Sequence, residues 1–138
     1  MSISEIAKHV IEQLELLAPE NIEIMAAGDP DWDGRTKVLV REGNTLPENV
    51  HQFGIISQKT PLTVFCISNS RIEAAELCRE ITAALKGEFR KMERQYNTGN
   101  TEAGIMSAVQ TGTFVTNIPG RTEFQSSVSF DILNNFGL

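Results

Sequence analysis

Residues 28–35 read GDPDWDGR, with Asp29, Asp31 and Asp33 alternating ahead of Gly34. This is the opening of a D-x-D-x-D-G calcium loop, in which alternating carboxylates and a sharply turning glycine wrap a cation. Counted from Asp29, however, the place of the closing bidentate carboxylate falls on Val40, and the usual apolar place falls on Thr36. The flanks read as strands rather than helices. Half of the coordination shell is therefore missing unless an oxygen is borrowed from elsewhere, for example from Glu42. The more economical reading is an Asp-Gly turn that closes a β-hairpin, its Asp side chains accepting hydrogen bonds from nearby backbone amides. On that reading no metal and no cofactor is expected, and Asp29, Asp31 and Asp33 are the only candidate ligands.

Other reactive constellations are scarce. The chain has no G-x-x-x-x-G-K-[ST] phosphate loop, no G-x-G-x-x-G, no G-x-S-x-G elbow and no H-E-x-x-H. His9 and His51 are the only histidines, and neither adjoins a Ser or Cys nucleophile. His9 falls on the polar side of a helical pattern and reads as a solvated surface residue, as does the carboxylate pair Glu12 and Glu15. An enzyme would have to assemble its site from separated residues such as His51 and Glu73. Arg90, Lys91 and Arg94, followed by Tyr96, form the one basic cluster. Glu88 and Glu93 interleave with it, as on a solvated or salt-bridged face. Cys66 and Cys78 lie in apolar segments with no His or Cys at metal spacing. They read as two reduced, buried thiols, with a disulfide or a catalytic thiol as the alternatives. The chain is expected not to be an enzyme.

The elements that must position these residues follow from patterning. A length of 138 residues and a 41% hydrophobic content suit one domain across residues 1–138. Twelve basic against 18 acidic residues give a net charge of −6, which argues against a general phosphate-binding surface. No stretch reaches the ~20 apolar residues of a membrane span, and MSISEIAKHVIEQ lacks the charged and apolar regions of a signal peptide.

Ile3, Ile6, Ala7, Val10, Ile11, Leu14 and Leu17 make one apolar helical stripe, with Ser2 and Glu5 at capping-box spacing and Pro19 as the stop. NIEIMAAG and TKVLVREG alternate as two strands joined by the acidic stretch, which predicts a hairpin. Residues 43–61, bracketed by Pro47 and Pro61, are looser; Phe53, Ile55 and Ile56 form a short strand or a covering loop. LTVFCIS (62–68) is apolar at every other position and between, which predicts a central strand covered on both sides. A second capped helix follows from Ser70 and Glu73, with Ala74, Leu77, Cys78, Ile81 and Leu85 buried and Gly87 as its C-terminal stop. An extension to Tyr96 through Phe89 and Met92 is the alternative.

From Asn97 onward only Glu102, Arg121, Glu123 and Asp131 are charged. GIMSAVQTGTFV and TEFQSSVSFDIL read as strands, the latter placing Phe124, Ser126, Val128, Phe130 and Ile132 on one face. The sum is α+β: a single mixed, mainly antiparallel sheet packed against two main helices. The polar, low-charge last strands also leave a sheet edge with little of the usual Lys or Pro defence, which makes self-assembly by strand addition a live expectation.

The ordered set of an amphipathic N-terminal helix, PDWDGRTKVLVREG, PLTVFCISNSRIEAAELCREITAALKG and PGRTEFQSSVSFDILNNF resembles the tail terminator proteins of long-tailed bacteriophages. That family overlaps with the phage minor capsid, or tail-completion, proteins. The likeness spans most of the chain, from about residue 3 to 136, and rests on order and spacing rather than on one fingerprint. It implies a tail-terminator-like domain that acts as a structural virion protein. Such proteins form a ring, commonly hexameric, on the head-proximal end of the tail tube. The ring ends tube polymerisation and offers a surface to the head completion or connector protein. Implied partners are other copies of the chain and the tail tube protein, with DNA passing through the lumen without specific binding and no membrane. The implied location is the virion tail, after assembly in the bacterial host cytoplasm. The competing reading is a small monomeric binding module, calcium-dependent through residues 29–34.

Overall fold

A computed structural model describes residues 5–17, 22–26, 36–51, 54–98, 105–117 and 123–134. They form two helices, α1 (Glu5–Leu17) and α2 (Arg71–Asn97), and six strands: β1 (Glu23–Ala26), β2 (Lys37–Glu42), β3 (Leu46–His51), β4 (Gly54–Ser68), β5 (Ile105–Asn117) and β6 (Phe124–Asn134). The sheet runs β1-β2-β4-β6-β5, and β3 pairs with β4 alongside that path. Every pairing is antiparallel except β1 with β2. The expected α+β architecture, a single mixed and mainly antiparallel sheet with two main helices, is therefore what the chain adopts.

The core lies on one face of this sheet. Val38 and Val40 of β2, Leu62, Val64 and Cys66 of β4, and Val128, Phe130 and Ile132 of β6 share that face by register and two-residue alternation. Against them pack Ala7, Val10 and Leu14 of α1 and Leu77, Cys78, Ile81, Leu85, Phe89 and Met92 of α2, in one continuous cluster. Both helical stripes are thus oriented as their periodicity requires. Phe89 and Phe130 meet edge-to-face with ring centroids 5.3 Å apart, an arrangement that adds to their area burial. At α2's start the Ser70 hydroxyl accepts from the Glu73 N–H at 3.3 Å, the N-cap that the sequence signals.

Five expectations need correction. First, β1 and β2 are parallel, with Glu23 opposite Lys37 and Ala26 opposite Val40. A tight turn cannot join parallel neighbours, because the chain must return to the start of the first strand before the second begins. The hairpin reading of the acidic stretch therefore fails; Asp29, Asp31 and Asp33 themselves lie outside the described residues, so their calcium reading is untouched.

Second, the covering-loop alternative for residues 43–61 fails and the strand alternative holds for Ile55 and Ile56, in a strand far longer than expected; Phe53 lies outside the described residues. β2 and β3 run in succession along the same flank of β4, which returns as a 15-residue strand. The Gly43 N–H donates to the Pro61 carbonyl at 2.8 Å between them. A Cβ on Gly43 would come within 3.2 Å of the Pro61 ring, so the proline occupies the gap between β2 and β3 and the glycine lets the backbones approach.

Third, the Gly87 stop fails and the alternative extension holds: α2 continues to Asn97, because Phe89 and Met92 keep its buried stripe in phase and burial outweighs the glycine's ~1 kcal/mol helix penalty. Fourth, β4 is central but covered by helices on one face only. Leu62, Val64 and Cys66 are buried there, whereas Thr63, Phe65 and Ile67 are half-buried on the other face, where the Arg41 guanidinium lies 5.0 Å from the Phe65 ring centroid. Fifth, His9 is not a fully solvated residue. Its side chain is 29% exposed and its Nε2 sits 3.4 Å from the Glu88 carboxylate of α2, because the two helices share one sheet face.

Candidate functional site: an open strand edge and a projecting hairpin

β5 is the outermost strand, and its 13 residues, IMSAVQTGTFVTN, carry no charge. Its pairing with β6 slips between Ile105 and Ser107 and again between Gln110 and Gly112, then runs unbroken from Gly112 opposite Ser129 to Asn117 opposite Phe124. Early in the strand the Ala108 N–H donates to the Glu93 carboxylate of α2 at 2.8 Å, so the molecule caps its own edge at that point. Val109 beside it is 59% exposed. Bulges and a capped donor blunt the first part of the edge, while the regular second part has no strand neighbour on its outer side among the described residues. The opposite end of the sheet is a four-residue strand, too short to template much.

The second feature is the arm made by β3 and the start of β4. Among the described residues β6 reaches along β4 as far as Gln58, opposite Asn134, so residues 54–57 pair there with β3 alone. At ~3.3 Å per residue this arm projects about 13 Å past the sheet. A buried polar cluster fixes its root: the Asn134 amide donates to the Thr60 hydroxyl at 3.1 Å and to the Ile132 carbonyl at 3.0 Å, its oxygen accepts from the Gln58 amide at 3.1 Å, and the Thr45 and Thr60 hydroxyls lie 3.0 Å apart. Leu46, at the base of the arm, is 61% exposed. A two-stranded ribbon is marginal by itself in water; here it is anchored at one end, where Leu46 is exposed, and extends as paired backbone beyond it.

The remaining candidates of the sequence fall apart or into structural roles. His51 pairs with Gly54 at the tip of the arm, whereas Glu73 follows the far end of β4 and accepts from the Thr36 hydroxyl at 2.6 Å. The two are separated by roughly 45 Å of extended strand, so they build no common site. Arg90, Lys91 and Arg94 lie on the exposed side of α2, while the interleaved Glu88 and Glu93 face His9 and β5. Among the described residues no group of three or more His, Cys, Asp or Glu side chains gathers as a metal site.

Cys66 and Cys78 do come together, as free thiols, both buried. Cys66 points from β4 to the helix face and Cys78 from α2 toward the sheet, with Ser126 of β6 in register opposite Cys66. The Cys66 thiol lowers the Cys78 pKa to about 6 by hydrogen bonding, with help from Ser126 and against the opposing effect of burial. Thr82 contributes little to the sulfur, since its hydroxyl proton is given to the Cys78 carbonyl at 2.7 Å. The same pairing, with burial, pushes Cys66 up. Cys78 also lines a groove of about 480 Å³ between α2 and the outer strands, with Arg79 and Lys86 along its α2 side and Gln110 and Ser126 opposite.

Periodicity predicted that both thiols would be buried; it carried no information that they would touch. The arm was missed because its residues look loop-like one at a time, although the Pro47 and Pro61 bracket and the spacing of β2 to β4 are compatible with one long ribbon. No protein-family model matches the chain, and no curated protein matches it.

Proposed function

We propose that this chain is a structural protein of a phage-type tail: a tail terminator that closes the head-proximal end of the tail tube as an oligomeric ring and presents the joining surface to the head. The observation that carries the reading is the uncharged, regular outer edge of β5 from Gly112 to Asn117. An edge of that kind, left without charge or proline, supports pairing with another chain.

A head-to-tail ring needs two unlike surfaces that complement each other and a rotation that closes. In this reading the β5 edge of one copy takes the projecting 46–57 arm of the next, so that each subunit uses its last strands once and its arm once. The order of sequence segments that resembles the terminator family supports the same reading. The activity is geometric, with no catalytic residue, metal or cofactor invoked; DNA passes through the lumen, and the net charge of −6 suits sliding rather than binding.

Light scattering coupled to size-exclusion chromatography, with negative-stain microscopy of the same fractions, tests this. Rings or concentration-dependent multimers are expected, alone or on addition of tail tubes. Thr116→Lys, within that regular edge, combined with Leu46→Lys should abolish them without changing the circular dichroism spectrum. A chain that stays monomeric at every concentration and leaves tube ends uncapped would sink the proposal. The flanking reading frames give an independent check, since tail-tube and head-completion genes are expected beside this one.

A further inference from the structure

The groove beside α2 has a feature that ring formation does not use. Its floor carries a thiol, Cys78, and directly behind that thiol lies a second, Cys66, on the central strand. A buried cysteine pair serving only as packing has no need of a solvent-side opening, of cations along it, or of a hydroxyl from Ser126 turned to one sulfur. Here Arg79 and Lys86 line the opening and Ser126 shares the groove with Cys78, so Cys78, 2% exposed, borders the groove while its partner is fully enclosed behind it.

We propose that Cys78 and Cys66 form a dithiol redox site, in which Cys78 is the attacking thiol, Cys66 the resolving thiol, and the co-substrate a low-molecular-weight disulfide bearing carboxylates. The Cys78 thiolate attacks one sulfur of that disulfide, forming a mixed disulfide and expelling one thiolate. Cys66 then attacks the Cys78 sulfur, its proton passing to the second departing thiolate. Two protein thiols are oxidised to one Cys66–Cys78 disulfide, and the small disulfide is reduced to two thiols. Arg79 and Lys86 attract the carboxylates of the co-substrate. The lowered Cys78 pKa keeps that sulfur ionised near neutrality, while the raised Cys66 pKa reserves it for the second step, when Cys78 is no longer its partner anion. The product bridges the central strand to the long helix that covers it. This site stands apart from the ring proposal and survives its failure.

The test exposes the folded, reduced protein to oxidised glutathione over a pH series and follows intact mass and peptide maps. The wild type should lose two hydrogen atoms and yield a single Cys66–Cys78 linkage, with a raised melting temperature. Cys66→Ser should stop at a glutathione adduct on Cys78, and Cys78→Ser should not react. The first step should be half-maximal near pH 6, rather than near the ~8.5 of an ordinary thiol. Should either variant fail to fold, differential alkylation of the wild type decides: Cys78 must be labelled well ahead of Cys66. A folded wild type that stays unmodified while both thiols react in urea would overturn the proposal, as would labelling of Cys66 first or of both at one rate.

Discussion

Residues 58–68 and residues 54–57 of β4 belong to one continuous strand, yet they meet opposite surroundings. The longer part lies between two neighbours, with β6 along one flank and β2, Gly43 and β3 along the other, and its Leu62, Val64 and Cys66 are enclosed by two helices. The shorter part has β3 and nothing further among the described residues. The same hydrogen-bonding geometry thus does two jobs. Where helices add apolar burial, the ladder is the fold's foundation; where they do not, it is a ribbon with backbone to spare. β5 repeats the contrast, capped by Glu93 at Ala108 and, farther along, without a strand neighbour on its outer side among the described residues.

Substitutions can break or sharpen this contrast. The largest effect is expected in the enclosed part. Phe130→Ala removes a side chain that is 1% exposed and stacks on Phe89, and should cost ~3–5 kcal/mol in urea unfolding. Next comes the boundary between the two parts. Asn134→Leu removes the amide that donates to the Thr60 hydroxyl and accepts from Gln58, while the Thr45 hydroxyl stays beside Thr60, and about 0.5–1.5 kcal/mol should be lost; a loss under a few tenths would mean that the cluster does not anchor the arm. Smaller, and of opposite sign, is Gly87→Ala. A Cβ there meets nothing within 4 Å and the position is helical, so thermal denaturation should show a gain of ~0.5–1 kcal/mol. A loss instead would restore the helix stop that the sequence suggested. Smallest is Leu46→Lys at the base of the arm, where folding stability should stay within ~0.5 kcal/mol of wild type while self-association measured by sedimentation falls. If association is unchanged, the arm is not the contact.

Much of this molecule is legible in its sequence because helical and strand periods are local. The stripe from Ala74 to Leu85, the cap at Ser70 and the alternation from Phe124 to Ile132 each follow from side-chain direction along a single element. For the same reason the two-helix, mainly antiparallel α+β class was within reach. The choice of neighbour was not. That β1 lies parallel to β2 and that β3 prolongs β2 along β4 depend on contacts between segments far apart in the chain, which no local period encodes, whereas the run of α2 past Gly87 follows the period of Phe89 and Met92. The thiols make the point most sharply. Cys66 and Cys78 each read correctly as buried residues of their own elements, but only the packing of α2 on β4 brings the two sulfurs together and leaves one of them beside a groove. Sequence periodicity settled which faces are buried, since that is a property of each element's own geometry; tertiary packing alone decided which faces meet and which edges stay open, since that is a competition among all the elements at once.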